Sequence, residues 1–274
     1  QFEHVNLDHG PGGKWDRRPV NLRDLKTSWN RWQRGLADRG WNSLYLSNHD
    51  QPRHVSRYGN DEEFRYESAT LWATLLHMQR GTPFIYQGEE IGMTNAGFTG
   101  IDEYRDVESL NYYADSTARG MDPETVLEIL GHVSRDNART PMQWTSEPGG
   151  GFTKGVPWIG LGPRYPEINV EQDQTAPKSI FRYYQQLIRL RHELPVVATG
   201  DFQLMHANHP TLFAFSRTLG ETRLGVIGNF SGLEQAAPDD LQGGELILGN
   251  YGEKRQTAVF GPWEARVLDI SGLS

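Results

Sequence analysis

The chain has 274 residues, 36% of them hydrophobic and 23% charged, which suits one large folded domain or two ordinary ones and does not suit a disordered chain. The formal net charge of −8 argues against a nucleic-acid surface, which needs clustered Lys and Arg, and no apolar run approaches the ~20 residues of a membrane span. With no cysteine, disulfides, thiolate chemistry and Cys-based zinc sites are excluded, which is compatible with a reducing compartment. A cytoplasmic location is expected.

The opening "QFEHVNLDHG" has no initiator Met, does not read as a signal peptide, and starts inside what reads as a short strand. A piece of a longer protein is therefore expected. Leu22, Leu25, Trp29, Trp32 and Leu36 recur at spacings of 3, 4, 3 and 4, the apolar stripe of a helix over 21–39. Residues 44–46 read as a buried strand. "YESATLWATLLHMQ" (66–79) reads as a largely buried helix, with Gly81 expected as its left-handed cap. "TPFIYQGEE" then reads as another short apolar strand with a polar end. Strand, helix, strand, helix, strand in succession suggests parallel βα units.

Residues 94–120 show no clean period and are expected to be mostly loop with short helices. "DPETVLEILGHV" (122–133) is a helix with Asp122 as N-cap and Pro123 in the first turn. Residues 146–177, rich in Gly and Pro, read as an irregular excursion. "SIFRYYQQLIRLRHEL" (179–194) is amphipathic through Ile180, Tyr184, Leu187, Ile188 and Arg191. After Pro195 the short runs "LFAFSR", "RLGVIGNF", "ELILGN" and "ARVLDI" alternate with glycine-marked turns, which predicts an antiparallel β-sandwich over 196–274, able to fold by itself.

The chemistry-bearing residues gather where strands end. After Leu44, Tyr45 and Leu46 come Ser47, Asn48, His49, Asp50 and Gln51, with no apolar residue among them. Gln87, Glu89 and Glu90 follow the next strand in the same way. Functional groups of a (β/α)8 barrel sit at such strand ends. A plainer structural reading competes at each position: Asn48 and Asp50 as turn formers, His49 as a satisfied polar residue, and one of Glu89 and Glu90 as a buried, hydrogen-bonded acid. "SRDNARTPMQW" (134–144) likewise admits a local ion-pair network that fixes a loop.

Five stretches in order, "FEHVNLDHGPGGKW", "GWNSLYLSNHDQPRHVSRYGND", "RGTPFIYQGEEIGMTN", "IDEYRDVESLN" and "RDNARTPMQW", resemble the later half of an α-glucosidase of glycoside hydrolase family 13, in the oligo-1,6-glucosidase and α-1,4-glucosidase group. "PWEARVLDI" extends the likeness weakly into the tail. The resemblance implies an α/β plus β architecture: the last three or so strands of a (β/α)8 TIM barrel over 1–195, followed by the β-sandwich over 196–274. It implies a retaining hydrolase acting on a small α-glucoside. Through the "NHDQ" match, Asp50 would be the carboxylate that stabilises the transition state, and His49 would donate to the same sugar hydroxyls. Arg135 matches the arginine at the floor of that subsite, usually paired with an Asp from the first part of the barrel. Gln51 and Glu108 match positions at the junction with the next sugar.

The family's nucleophile motif, its general acid and its metal-binding loop near the first strand have no counterpart here. The resemblance places any structural calcium or magnesium in that earlier part, so no cofactor is expected in this chain. Its implied partner is the N-terminal half of the same enzyme, without which the chain is expected to be inactive. A sucrose isomerase or transglucosylase of the same fold is the nearer alternative, although those relatives tend to read "HDNPR" where this chain reads "HDQPR". A non-catalytic relative of the transporter-heavy-chain type is the alternative from another class, and the presence of Asp50, His49 and Arg135 argues against it.

Overall fold

The computed structural model describes residues 3–252 and 257–273. The chain opens on a 3-10 turn, Glu3–Asn6, where a strand was expected, and then forms an antiparallel hairpin from β1 (His9–Gly10) and β2 (Gly13–Arg17). Helix α1 (Leu22–Gly35) follows, with the Asn21 side chain accepting the Arg23 N–H as its N-cap. Its apolar stripe is buried through Leu22, Leu25 and Trp29, but Trp32 and Leu36 are only half-buried. The buried face turns instead toward Lys26, whose ammonium donates to the carbonyls of His206, His209 and Leu212. Periodicity could not reveal this, because the partners lie some 180 residues away.

The two expected parallel strands are present and very short. β3 (Ser43–Leu44) pairs in parallel with β4 (Thr82–Pro83), Ser43 facing Thr82 and Leu44 facing Pro83. Pro83 has no N–H to add to the ladder, and one further bond, from Phe84 N–H to Leu44 C=O at 2.7 Å, completes it. Between the strands lie α2 (His54–Tyr58) and α3 (Arg65–His77). α3 is buried nearly all round, which suits its run of Ala, Leu and Trp. Gly81 does not cap α3, which ends at Met78 with a right-handed residue. Its φ of +138° and the 2.5 Å that would separate an added Cβ from the Asn42 carbonyl show a different reason for glycine: the chain enters β4 in contact with the backbone leading into β3.

Residues beyond β4 are more helical than their sequence suggests. α4 (Val107–Ala118) and α5 (Pro123–Val133) pack on each other, and the one-turn α6 (Asp136–Arg139) follows. α4 escaped periodicity because only Ser109 and Ser116 on it are fully buried. α7 (Val170–Thr175) leads into α8 (Ile180–Glu193), and α9 (Pro195–Thr199) into the sheet.

The remainder builds a five-stranded antiparallel sheet from β5 (Asp201–Met205), β6 (Leu212–Leu219), β7 (Thr222–Asn229), β9 (Glu245–Gly249) and β11 (Ala265–Asp269), in the order β5-β6-β7-β11-β9. A second pair, β8 (Gln235–Ala236) with β10 (Val259–Phe260), lies across it. Alternate residues of β6 and β7 serve two cores. Leu212, Ala214 and Ile227 pack with Leu241, Phe260 and Ile270 under the small pair. Phe213, Phe215 and Val226 point the other way, into one continuous core with Leu25, Trp29, Leu71, Trp72 and Leu187 of the helices. Val196 and Val197 belong to that same core, so apolar packing runs straight through the boundary expected at 195/196.

Candidate active site

The stretch after β3 turns on itself without glycine. Asn48 accepts the Asp50 N–H on its side chain at 2.8 Å, and its carbonyl accepts from Gln51 N–H at 3.2 Å. Asn48 is thus the turn former, and His49 and Asp50 are free to project outward. The Asp50 side chain remains 46% exposed and gathers three basic groups. His49 Nε2 stands 3.3 Å from one carboxylate oxygen; Arg139 Nη2 donates to the other at 3.1 Å, with Arg135 Nη1 at 3.6 Å.

Arg135 makes its strongest contact elsewhere. Its Nε and Nη2 form a two-pronged pair with Asp106, at 2.9 and 2.7 Å. Its aspartate partner in this structure is therefore Asp106, at the start of α4. Burial alone would raise the Asp106 carboxyl, but the hydrogen bonds from Arg135 and the charges of Arg135 and Arg139 outweigh it and hold the group below its ordinary value. The same Asp106 pairing is the chief reason that Arg135 is held above its own usual value. Asp136 sets the position of Asp106 by accepting the backbone N–H groups of both Arg105 and Asp106, at 2.8 and 2.9 Å, on one fully buried oxygen.

Glu108 lies 3.5 Å from Arg135 Nε and pairs with Lys14 at 2.5 Å. Gln51 faces the other way, its side-chain oxygen accepting from Arg57 at 2.5 Å, while Arg57 grips the buried Asp8 with two bonds of 2.6 and 2.7 Å. A pocket of about 330 Å³ opens among Asp8, Lys14, Asp50, Gln51, Arg57 and Arg135. The structure thus brings all five expected residues, His49, Asp50, Gln51, Glu108 and Arg135, to one place.

Arg139, Asp106, Asp8 and Lys14 were not singled out as site residues. Arg139 had a signal: it follows Arg135 by four residues, the spacing that sets two side chains on one face of a helical turn. Asp8 and Lys14 had none, because their partners are remote in sequence. Of the adjacent acids, Glu89 is the buried one. Its Oε1 accepts the Ser47 N–H at 3.0 Å, and burial pushes its carboxyl up to about 8. Its neighbour His54, buried 3.8 Å away, is pushed down to about 3 by burial first and the nearby Arg53 charge second. Neither group lines the pocket.

An exposed carboxylate flanked by two guanidinium groups and an imidazole can accept hydrogen bonds from ligand hydroxyls and oppose positive charge on a ligand. Among the described residues no group of three or more His, Asp or Glu is arranged to hold a metal ion, and no helix is long and apolar enough to cross a membrane.

Residues 1–200 match the alpha-amylase catalytic-domain family. The chain belongs to the alpha-amylase family. It is 50% identical to an oligo-1,6-glucosidase of Halalkalibacterium halodurans, over 97% of this chain and 49% of that protein. It is 49% identical to the oligo-1,6-glucosidase of Parageobacillus thermoglucosidasius, over 98% of this chain and 50% of that one. Among solved structures it superposes on a trehalose-6-phosphate hydrolase of Bacillus licheniformis with a TM-score of 0.93 at 41% identity, over 98% of this chain and 50% of the other. An isomaltulose synthase of Erwinia rhapontici gives 0.88 at 34%, with the same coverage. The chain spans about half the length of the curated relatives it matches.

Proposed function

We propose that the chain is the later part of a retaining α-glucosidase that releases terminal glucose from short oligosaccharides, through α-1,4 or α-1,6 bonds or both. The observation that carries this reading is the Asp50 carboxylate, exposed to a pocket and held by His49, Arg135 and Arg139. In this reading Asp50 accepts hydrogen bonds from the glucosyl hydroxyls and opposes the charge that develops on the ring in an oxocarbenium-like transition state. His49 donates to the same hydroxyls, and Arg135 and Arg139 fix the carboxylate. Gln51 and Glu108 line the junction with the next sugar. The nucleophile and the general acid, about 5–5.5 Å apart in a retaining enzyme, come from the preceding half of the same enzyme, which is the chain's partner.

The same proposal makes residues 1–195 the end of a (β/α)8 barrel, carrying the β3–β4 pair, and residues 196–274 a β-sandwich domain. No cofactor acts in this part, and the enzyme works in the cytoplasm. Identity of 50% to an oligo-1,6-glucosidase, against 34% to an isomaltulose synthase, supports hydrolysis over sucrose isomerisation. The test is release of 4-nitrophenol from 4-nitrophenyl α-glucoside. The purified 274-residue chain is expected to release none, and co-expression with the preceding half is expected to restore release. Turnover by the chain alone would overturn this division of labour. Asp106 would be a poor nucleophile in that event, because Arg135 occupies both of its oxygens.

A further inference from the structure

Behind the pocket lies Arg53, which is 1% exposed and, among the described residues, donates to no carboxylate. Its three guanidinium nitrogens point at two different segments. Nη1 donates to the Gln87 carbonyl at 2.5 Å, in the stretch after β4. Nε donates to the Asn137 carbonyl at 3.2 Å, and Nη2 to the Thr140 hydroxyl at 3.3 Å, at either end of the turn that carries Arg139. Its own backbone N–H is fixed by the Asn95 side chain at 3.0 Å, and its guanidinium lies 5.6 Å from the centre of the Tyr86 ring. Gly88 leaves room for it: a Cβ there would stand 2.9 Å from Nη1.

Three residues before Arg53 is Asp50. On the pocket side the turn that carries Arg139 meets the stretch of Arg53 and Asp50 again, through Arg139 Nε to the His49 carbonyl at 2.9 Å and Arg139 Nη2 to Asp50. The stretch bearing Asp50 is therefore joined to the stretch bearing Arg135 and Arg139 twice, once in the pocket and once from behind. The rear joint is buried, whereas the front one is open to the pocket, with the Asp50 side chain 46% exposed. A planar fork with fixed donor directions is suited to the rear joint, and a flexible ammonium is not.

We propose that Arg53 is a positioning residue that sets the distance between the Asp50 carboxylate and the Arg135–Arg139 pair. This rests on the functional reading of Asp50 above. It places Arg53 outside the ligand, acting only through Asp50 and its partners.

The test is a set of kinetic measurements on the complete enzyme with Arg53→Lys, Arg53→Met, Asp50→Asn and the double variant Asp50→Asn with Arg53→Lys. Arg53→Lys keeps the charge and serves where Arg53→Met does not fold. The expected result is a fall of at least tenfold in kcat per folded molecule for Arg53→Lys, with KM changed by less than threefold. The double variant is expected to be no slower than Asp50→Asn alone, because a residue that acts through Asp50 has nothing left to position. Normal kcat in Arg53→Lys, or losses that multiply in the double variant, would overturn the proposal and leave Arg53 a structural residue. Asp50→Asn with normal kcat would instead overturn the reading of Asp50 itself, so the two failures are told apart.

Discussion

The pocket around Asp50 and the interior seam between the helices and the five-stranded sheet both hold cationic side chains, and they satisfy them in opposite ways. In the pocket, Arg135 and Arg139 meet carboxylates, Asp50 and Asp106, and all of these but the buried Asp106 stay partly exposed. In the seam the partners are backbone carbonyls. Lys26 donates to three of them, Arg191 to those of His77, Gln79 and Gly81, and Arg217 to those of Met78, Val197 and Gly200. Arg191 and Arg217 thereby cap the C-terminal end of α3, where the helix leaves carbonyls without intrahelical partners and carries partial negative charge. Carbonyl oxygens do not titrate and do not move. Carboxylates titrate, attract ligands, and change partners. The seam uses cations to fasten elements, whereas the pocket pairs them with carboxylates, one of which, Asp50, stays 46% exposed.

The largest consequence concerns the seam as a whole. Removing residues 196–274 strips Phe213, Phe215, Val226 and Val267 from the main core, and leaves the carbonyls at the end of α3 without Arg217. Both pieces are expected to lose fixed tertiary structure, seen as loss of near-ultraviolet circular dichroism and rapid amide exchange. This departs from the expectation that the β region folds by itself; a cooperative unfolding transition in isolated 196–274 would restore that expectation.

Single cations should separate the two regions next. Arg217→Met orphans three buried carbonyls and is expected to cost about 3 kcal/mol or more of stability in urea unfolding. Arg135→Met leaves the buried Asp106 with Arg139 at 3.6 Å as its remaining cation, and because Arg135 itself is 29% exposed the expected cost is smaller, about 1–2 kcal/mol. Equal losses in the two variants would erase the distinction.

The third consequence is a pH effect beneath the pocket. Glu89, raised from 4.5 to about 8 by burial, is neutral when folded and ionised when unfolded between those values. The folded state binds the extra proton, so Glu89 lowers stability progressively as pH rises through that window, by on the order of a few kcal/mol in full. Glu89→Gln is expected to flatten the stability profile between pH 5 and 8, with the variant gaining on the wild type as pH rises. An unchanged slope would mean that Glu89 is not the titrating group.

The smallest effect has the opposite sign. Asp106 is held below its ordinary value, so its pairing adds stability above the unfolded value and loses it as pH falls through the folded one. Asp106→Asn should therefore make the acid limb of the profile shallower, at the expense of stability near neutrality.

How much of this was legible beforehand follows the range of the contacts. The helices of residues 22–35, 65–77, 123–133 and 180–193 were readable because periodicity and N-caps such as Asp122 are local. The polar run ending at Asp50 stood out because it breaks an apolar strand. The second arginine at 139 was within reach through its spacing from Arg135. The roles of Lys26, Arg57, Arg191 and Arg217 were not, since their oxygen partners come from remote stretches and a lone cation in a helix or strand looks like a solvated one. The 3-10 turn at Glu3–Asn6 was mistaken for a strand because four residues are too few to show a period. Gly81 was mistaken for a cap because its real constraint, the Asn42 carbonyl, lies on another segment.

In the proposed function Asp50 opposes charge developing on the substrate, and the kinetics of Asp50→Asn in the complete enzyme test this most directly. The side chain keeps its shape and loses its charge, so the pocket should still admit substrate. A fall in kcat of about a thousandfold or more, some 4 kcal/mol of transition-state stabilisation, is expected, with KM little changed. A rise in KM with kcat intact would contradict it, and would reduce Asp50 to a residue that binds the sugar equally in the ground and transition states.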